Sequence, residues 1–163
     1  MAGKRIKKEE LNEAIDMYSE YFKDISSTYD ELLSKSKKYL ETTEKNIDDL
    51  AAMPMGTRGA QHYLTEHMEN AAALISQCQS LADSKYKIKK SLLEYAIKDI
   101  SNANDGQTTD YTATIAEIVK KEKARLEKQD KMIEEIINAE NSNDKNLDDE
   151  IERILADSAS QSE

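Results

Sequence analysis

The sequence predicts an all-α protein built from long amphipathic helices, and three observations lead to that prediction. Of the 163 residues, 34% are charged, and there is one Val, one Phe and no Trp, which leaves little to build a strand-rich core. Only one Pro and four Gly are present, and they lie outside three long stretches. Within those stretches apolar residues recur every three or four positions, which is typical of helices packed on other helices.

The breaks between these stretches predict how the chain is organised. A short turn containing Pro54 and Gly56 is expected to fold the first two helices into a long antiparallel hairpin or coiled coil. A third long helix and a short C-terminal amphipathic helix over 147–155 are expected to follow. The predicted order is a flexible basic arm (1–7), a helical hairpin (8–100, with its turn at 51–59), a loop (101–110), a third helix (110–139), a polar linker (140–146) and an acidic C-terminal helix and tail (147–163).

The first predicted helix carries an apolar stripe whose residues alternate in steps of four and three. Two successive four-residue steps, Ile25 to Tyr29 to Leu33, indicate a stutter in a coiled-coil pattern. A helix over 8–50 spans about 65 Å and has to be covered by another helix, from this chain or from a second copy. We therefore treat the stripe as a candidate interface. Its residues are Leu11, Ile15, Tyr18, Phe22, Ile25 and Tyr29.

The other two predicted helices carry stripes of the same kind. The second passes through Met68, Ile75 and Leu81, and the third through Leu126 and Ile136. Polar residues interrupt the stripes and are expected to fix the register between helices. These residues are Ser36, Thr43, Lys85 and Gln129. A further candidate interface for a partner groove is the apolar face of the short C-terminal helix, formed by Leu147, Ile151, Ile154 and Leu155.

Charge limits the classes of partner that the chain is expected to bind. The formal net charge is −10, and residues 101–163 hold 16 acidic against 8 basic side chains, which repels phosphate. One basic cluster around Tyr86 remains a candidate nucleic-acid contact, with a solvated helix face as the alternative interpretation. The cluster consists of Lys85, Lys87, Lys89 and Lys90.

No pattern of catalytic, cofactor-binding or metal-binding residues is found in the sequence. His62 and His67 are five positions apart, about 140° around a helix, whereas zinc-protease helices need two His four apart with a Glu between them. Cys78 is the only cysteine and has no neighbouring base. We expect no enzyme activity, no cofactor and no metal. The single cysteine and the lack of a signal or membrane-spanning segment predict a cytoplasmic, reducing compartment.

The segment from Tyr39 to Ile100 resembles the central hairpin of small terminase subunits of tailed bacteriophages and, more generally, phage assembly and scaffold proteins. It has a helix, a short Pro…Arg turn and a second helix ending Leu81-Ala-Asp-Ser-Lys-Tyr-Lys-Ile-Lys-Lys-Ser-Leu-Leu-Glu-Tyr-Ala-Ile-Lys-Asp-Ile100. The resemblance implies a ring-forming or virion-associated protein. It carries over no functional residue, and the chain lacks the N-terminal DNA-binding domain of many small terminases.

Together these observations predict a non-enzymatic helical assembly module. We expect it to self-associate through its stripes as a homo-oligomer, to bind another protein, or both, as a component of phage virion assembly or a scaffold. The alternative is a nucleic-acid-associated adaptor for DNA packaging or recombination. No membrane association is expected.

Overall fold

A computed structural model describes residues 7–53, 58–104 and 111–160, which form three long α-helices. Helix α1 comprises Lys8–Ala51, α2 comprises Arg58–Asn104 and α3 comprises Thr112–Ser160. No strand occurs within these ranges. The all-α prediction and the three long helices are thus confirmed. Over the same ranges, no helical stretch is both long enough and apolar enough to cross a bilayer.

Several predicted boundaries lie outside the described residues. They include the basic arm before Lys7, the middle of the turn at 51–59 and the part of the loop at 101–110 that follows Asn104. Where the loop was predicted to begin, α2 continues for four further residues. The cause is that residues 101–104 are mostly polar but include no Gly or Pro, so no helix-breaking residue ends α2 before Asn104.

The prediction of a polar linker at 140–146 and a separate short helix at 147–155 is wrong, because α3 runs through both without a break. The spacing of the stripe explains the continuity. Glu140 and Asp144 follow Ile133 and Ile137 at alternating steps of three and four. The segment therefore keeps the helical period while exchanging apolar side chains for polar ones, and buried polar groups are tolerated when they are hydrogen-bonded.

The helices form two compact units, and each helix contributes one segment to each unit. Unit 1 consists of Met1–Leu33 and Ser80–Lys128, and unit 2 consists of Ser34–Gln79 and Gln129–Glu163. Each unit is a set of three packed helical segments, so that each stripe has two neighbouring helices to pack against.

Unit 1 has an apolar core between three helical segments. The Asn104 amide donates to Glu10 and the Lys85 ammonium pairs with Asp30, so the α1 and α2 segments run antiparallel. Tyr95 packs on Tyr111, with ring centroids 5.5 Å apart, and joins the α2 and α3 segments. The buried apolar side chains of unit 1 are Ala14, Tyr18, Ile25, Tyr29, Leu32, Leu81, Ile88, Leu92, Ala96, Ile115, Val119 and Leu126.

Unit 2 has a core in which polar and apolar side chains are equally common. The contacts of Gln129 with Gln77 and of Glu140 with His67 make the α2 and α3 segments antiparallel. The buried apolar side chains are Leu50, Ala71, Leu74, Ile133 and Ile137, and the buried polar ones are Ser36, Thr43, His67, Gln129 and Glu140. Of the four predicted register residues, Ser36, Thr43 and Gln129 are thus buried, whereas Lys85 in unit 1 lies at the edge of its core.

The stripes differ from their predicted course on all three helices, and on α3 the buried residue is Ile137 and not the predicted Ile136. On α2, Met68 and Ile75 are exposed, while the preceding residues, His67 and Leu74, are fully buried. On α1, Leu32 rather than Leu33 is buried, so the steps of three and four continue and the predicted stutter is absent. On α2 both pairs of residues have the seven-residue spacing, so packing against the neighbouring helices, and not the repeat, decides which pair is buried.

Candidate functional site

The candidate interface on α1 is covered by the chain itself over most of its length. Within unit 1, Ile25 and Tyr29 are fully buried and Tyr18 nearly so. Phe22 is half-buried and stacks on Tyr18, with ring centroids 5.5 Å apart. These side chains pack against residues of the same chain, so few of them are available for contact with a protein partner.

The beginning of the same stripe is only partly open to solvent, since Ala14 is buried there while Leu11 and Ile15 are exposed. Leu11 and Ile15 are 41% and 42% exposed, although they continue the spacing of the buried residues that follow them. Large apolar side chains that remain exposed beside a core are typical of contact surfaces when further surface adjoins them.

The C-terminal candidate interface lies in unit 2 on the last part of α3. Leu147 and Ile151 are half-buried there, and the side chains of Ile154 and Leu155 lie outside the described residues. The continuous helix removes the reason for treating these residues as an independent docking segment.

Two of the four lysines in the candidate nucleic-acid contact on α2 lie close to carboxylates, which offset their positive charge. Lys85 pairs with Asp30 of α1, and the Lys90 ammonium lies 3.9 Å from Glu94. Lys87 and Lys89 are exposed, and the Tyr86 ring between them is 68% exposed. Two lysines and one aromatic ring are thus presented to solvent by this helix face.

An open groove lies between α1 and α3 in unit 1 and encloses about 880 Å³. Its floor includes Tyr21, Ala116, Val119 and Ala124, and two of these are small residues that let another helix approach closely. The Lys123 ammonium lies 3.8 Å from Asp24 across the groove. The remaining charged residues of the rim are Glu20, Lys23, Lys120 and Glu127.

A polar cluster in unit 1 consists of Tyr29, Glu122 and Arg125. The Tyr29 hydroxyl donates to the Glu122 carboxylate, which also accepts from the Arg125 guanidinium at 2.7 Å and 2.9 Å. Burial of the ring, followed by the hydrogen bond to Glu122, raises the pKa of Tyr29 far above its ordinary value, and Arg125 opposes the shift. The phenol therefore stays neutral, and the Glu122 charge is balanced by Arg125.

A second polar cluster lies in unit 2 and consists of Asn46, His67, Asn70, Glu140 and Asp144. The Glu140 carboxylate, which is almost fully buried, contacts His67 Nδ1 at 2.7 Å. It also accepts from the amide groups of Asn70 at 2.8 Å and Asn46 at 3.2 Å. One carboxylate thus contacts all three helices of the unit, which fixes the rotamer of the buried imidazole.

Asp144 completes this cluster one turn beyond Glu140. Its Oδ1 accepts from the Asn46 amide at 2.8 Å and lies 3.7 Å from His67 Nε2. Burial raises the pKa of the Asp144 carboxyl, the Glu140 charge raises it further, and His67 and the Asn46 hydrogen bond oppose the rise. His67, Glu140 and Asp144 together offer nitrogen and oxygen atoms that lie within 4.8 Å of one another.

Sequence reasoning missed this cluster because it looked for metal ligands along one helix. His67 and Glu140 are 73 positions apart, and the nearest histidine, His62, points elsewhere and pairs with Glu66. A usable signal was present in α3, where Glu140 and Asp144 occupy successive stripe positions. Two acidic residues in a row on a core-facing stripe indicate a polar partner on another helix.

Comparison with known proteins identifies no relative whose role could suggest one for this chain. No family model, no curated protein and no solved structure matches the chain.

Proposed function

We propose that this chain is a non-enzymatic helical assembly module that self-associates through unit 1. The observation that carries the proposal is the exposure of Leu11 and Ile15 at the open end of an otherwise covered stripe. Burying the exposed parts of two such side chains contributes roughly 2 kcal/mol. A micromolar complex needs about 8 kcal/mol, so the interface has to include more surface.

The groove between α1 and α3 supplies that additional surface. Its floor of small and aromatic side chains suits the apolar face of a helix from a second copy, and its rim carries three acidic and three basic residues. A rim with no net charge neither attracts phosphate nor repels an amphipathic helix of mixed charge, such as the first turns of α1. Helix-in-groove packing of this kind would complete a four-helix arrangement in unit 1.

Light scattering with chromatography tests this proposal. The full chain is expected to elute with a mass above that of one 18.5 kDa chain. The double variant Leu11→Asp/Ile15→Asp is expected to reduce the mass to that of one chain, because charges at these positions resist burial. The control Asn12→Asp/Ser27→Asp adds the same two charges at exposed polar positions of α1 and is expected to keep the wild-type mass. Equal masses for both variants would contradict the proposed surface.

The proposed biological setting is bacteriophage virion assembly or scaffolding in a reducing, cytoplasmic compartment, with the virion as a further location. It rests on the resemblance of the hairpin from Tyr39 to Ile100 to phage assembly proteins. A closed ring of identical subunits predicts one dominant species in native mass spectrometry, at a whole multiple of 18.5 kDa. A ladder of masses that grows with concentration would contradict a ring.

A nucleic-acid adaptor is the second candidate, and the exposed ring of Tyr86 between exposed Lys87 and Lys89 favours it. It predicts that a fluorescent single-stranded oligonucleotide binds at low salt and that Lys87→Gln/Lys89→Gln weakens binding. The matched control is Lys37→Gln/Lys38→Gln, which removes two exposed lysines from α1. Equal weakening by both pairs would indicate charge attraction alone, and absence of binding at low salt would exclude this candidate.

A further inference from the structure

We propose that His67 and Asp144 of unit 2 bind one divalent transition-metal ion of the zinc class, and that Glu140 positions the imidazole for it. The proposal concerns a different unit from the assembly surface and is independent of it. It rests on the hydrogen-bond roles in the polar cluster, on one interatomic distance and on the charge of the cluster.

The hydrogen bonds fix where the ring hydrogen of His67 lies. Glu140 accepts from Asn46 and Asn70, as expected for a carboxylate, which has no hydrogen to donate. Its contact with His67 Nδ1 at 2.7 Å therefore requires Nδ1 to carry the hydrogen. In the neutral ring the lone pair then lies on Nε2, which has no hydrogen-bond partner among the described residues although the side chain is fully buried.

His67 Nε2, which carries the lone pair, lies near another hydrogen-bond acceptor, the carboxylate of Asp144. Asp144 Oδ1 lies 3.7 Å from Nε2, too far for a direct hydrogen bond. The distance suits two ligands of one cation, because bonds of about 2.1 Å to each atom give a nitrogen–metal–oxygen angle of about 120°. The Asn46 amide holds Oδ1 at 2.8 Å and restrains it in this position.

The arrangement is that of a histidine oriented by a carboxylate behind it. Histidines that bind metals commonly donate their other ring hydrogen to a carboxylate, which fixes the tautomer and makes the free nitrogen a better ligand. Glu140 has that place behind His67, and His67 Nε2 points away from it toward Asp144. Glu140 is therefore a positioning residue and not a ligand.

The charge of the cluster favours a cation. Glu140 and Asp144 are two carboxylates, and within the described residues their only ion-pair partner is His67, with no lysine or arginine. A bound divalent ion cancels both charges. A site of one imidazole nitrogen and one carboxylate oxygen suits zinc, cobalt or nickel better than magnesium or calcium, which prefer oxygen ligands alone.

The metal has access from solvent on one side. The Asp144 side chain is 39% exposed, whereas His67 is fully buried. Water completes the coordination sphere on the side of Asp144. With two protein ligands, we expect weaker binding than at the closed four-ligand sites that hold structural zinc.

Calorimetric titration of the full chain with zinc chloride tests the site. One equivalent is expected to bind, and Asp144→Asn is expected to weaken binding by about tenfold or more, while its amide keeps the size of the side chain. Two controls are expected to bind as the wild type does. Asp149→Asn makes the same change at an exposed position of α3, and His62→Asn removes the exposed histidine that pairs with Glu66.

The role of Glu140 is tested separately, with nitrogen NMR of His67 as the readout. In the wild type, zinc is expected to shift Nε2 strongly and Nδ1 weakly. Glu140→Gln is expected to weaken zinc binding by about 10- to 100-fold and to change the balance of the two ring tautomers, with helicity by circular dichroism retained. The proposal is overturned if no equivalent of zinc binds, if Asp144→Asn binds as tightly as the wild type, or if His62→Asn abolishes binding.

Discussion

Each unit has a carboxylate of α3 in a polar cluster, and the two carboxylates are balanced in different ways: Glu122 of unit 1 is partly buried, whereas Glu140 of unit 2 is almost fully buried. In unit 1 Glu122 faces the neutral phenol of Tyr29 and the permanent charge of Arg125, so the cluster is closed electrostatically. In unit 2 Glu140 and Asp144 face a single imidazole and two amide groups. The chain thus supplies a fixed cation to the cluster of unit 1 and, among the described residues, none to the cluster of unit 2.

The units also differ in the composition of their cores, while each leaves large apolar side chains exposed, including Met68, Ile75 and Met132 in unit 2. Unit 1 has the more apolar core, exposed Leu11 and Ile15 near the start of α1, and a separate groove between α1 and α3. In unit 2, half of the buried residues that the structure describes are polar. We propose that unit 1 makes the contact with other copies of the chain and that unit 2 binds the cation.

The largest expected effects come from the apolar cores, and they should be alike in the two units. Leu74 of unit 2 and Leu81 of unit 1 are both fully buried, two turns apart on α2. Leu74→Ala and Leu81→Ala are each expected to lower the free energy of unfolding by about 2–5 kcal/mol, measured by urea denaturation. A cost near zero for Leu74→Ala alone would mean that the core of unit 2 is not packed as described.

Removal of the buried carboxylate of unit 2 comes next in size. Glu140→Ala leaves three donors, on His67, Asn46 and Asn70, without their acceptor. At roughly 1 kcal/mol or more for each, the expected loss of unfolding free energy is about 3 kcal/mol. The control is Glu135→Ala at an exposed position of α3, which is expected to change stability by less than about 0.5 kcal/mol. Similar losses for the two variants would contradict the contribution of the Glu140 hydrogen bonds to stability.

The balanced cluster of unit 1 should be less sensitive. Arg125→Gln removes the charge opposite Glu122, but the Arg125 side chain is 36% exposed and water replaces part of the interaction. We expect a loss of about 1 kcal/mol in urea denaturation. A loss as large as that of Glu140→Ala would contradict this expectation, because it would mean that both clusters contribute equally to the free energy of unfolding.

The smallest expected effect is a dependence of stability on alkaline pH. The pKa of Tyr29 is raised in the folded chain, whereas in the unfolded chain the phenol titrates near its ordinary value of 10.0. Stability from this group is therefore complete below pH 10 and falls as the pH rises further, because only the unfolded phenol releases its proton. Tyr29→Phe is expected to be less stable at pH 8 and to lose less stability between pH 9 and about 11. Parallel pH profiles for wild type and variant would contradict the shift.

The sequence was sufficient to predict the helices and insufficient to predict the polar cluster. Helical period and the scarcity of Gly and Pro mark all three helices, because these are local properties. The choice between Met68 and His67 as the buried residue is not local: it depends on Glu140, which the sequence places 73 positions away. For the same reason 140–146 looked like a linker, since the donors that satisfy its acidic side chains lie on the other helices.

The central claim is that one copy of the chain covers most of its own stripe and leaves the end at Leu11 and Ile15 for a second copy. Sedimentation equilibrium of the wild-type chain over a range of concentrations tests it most directly. We expect a mass that rises above 18.5 kDa with concentration and levels at a whole multiple of it. A mass of 18.5 kDa at every concentration would contradict it.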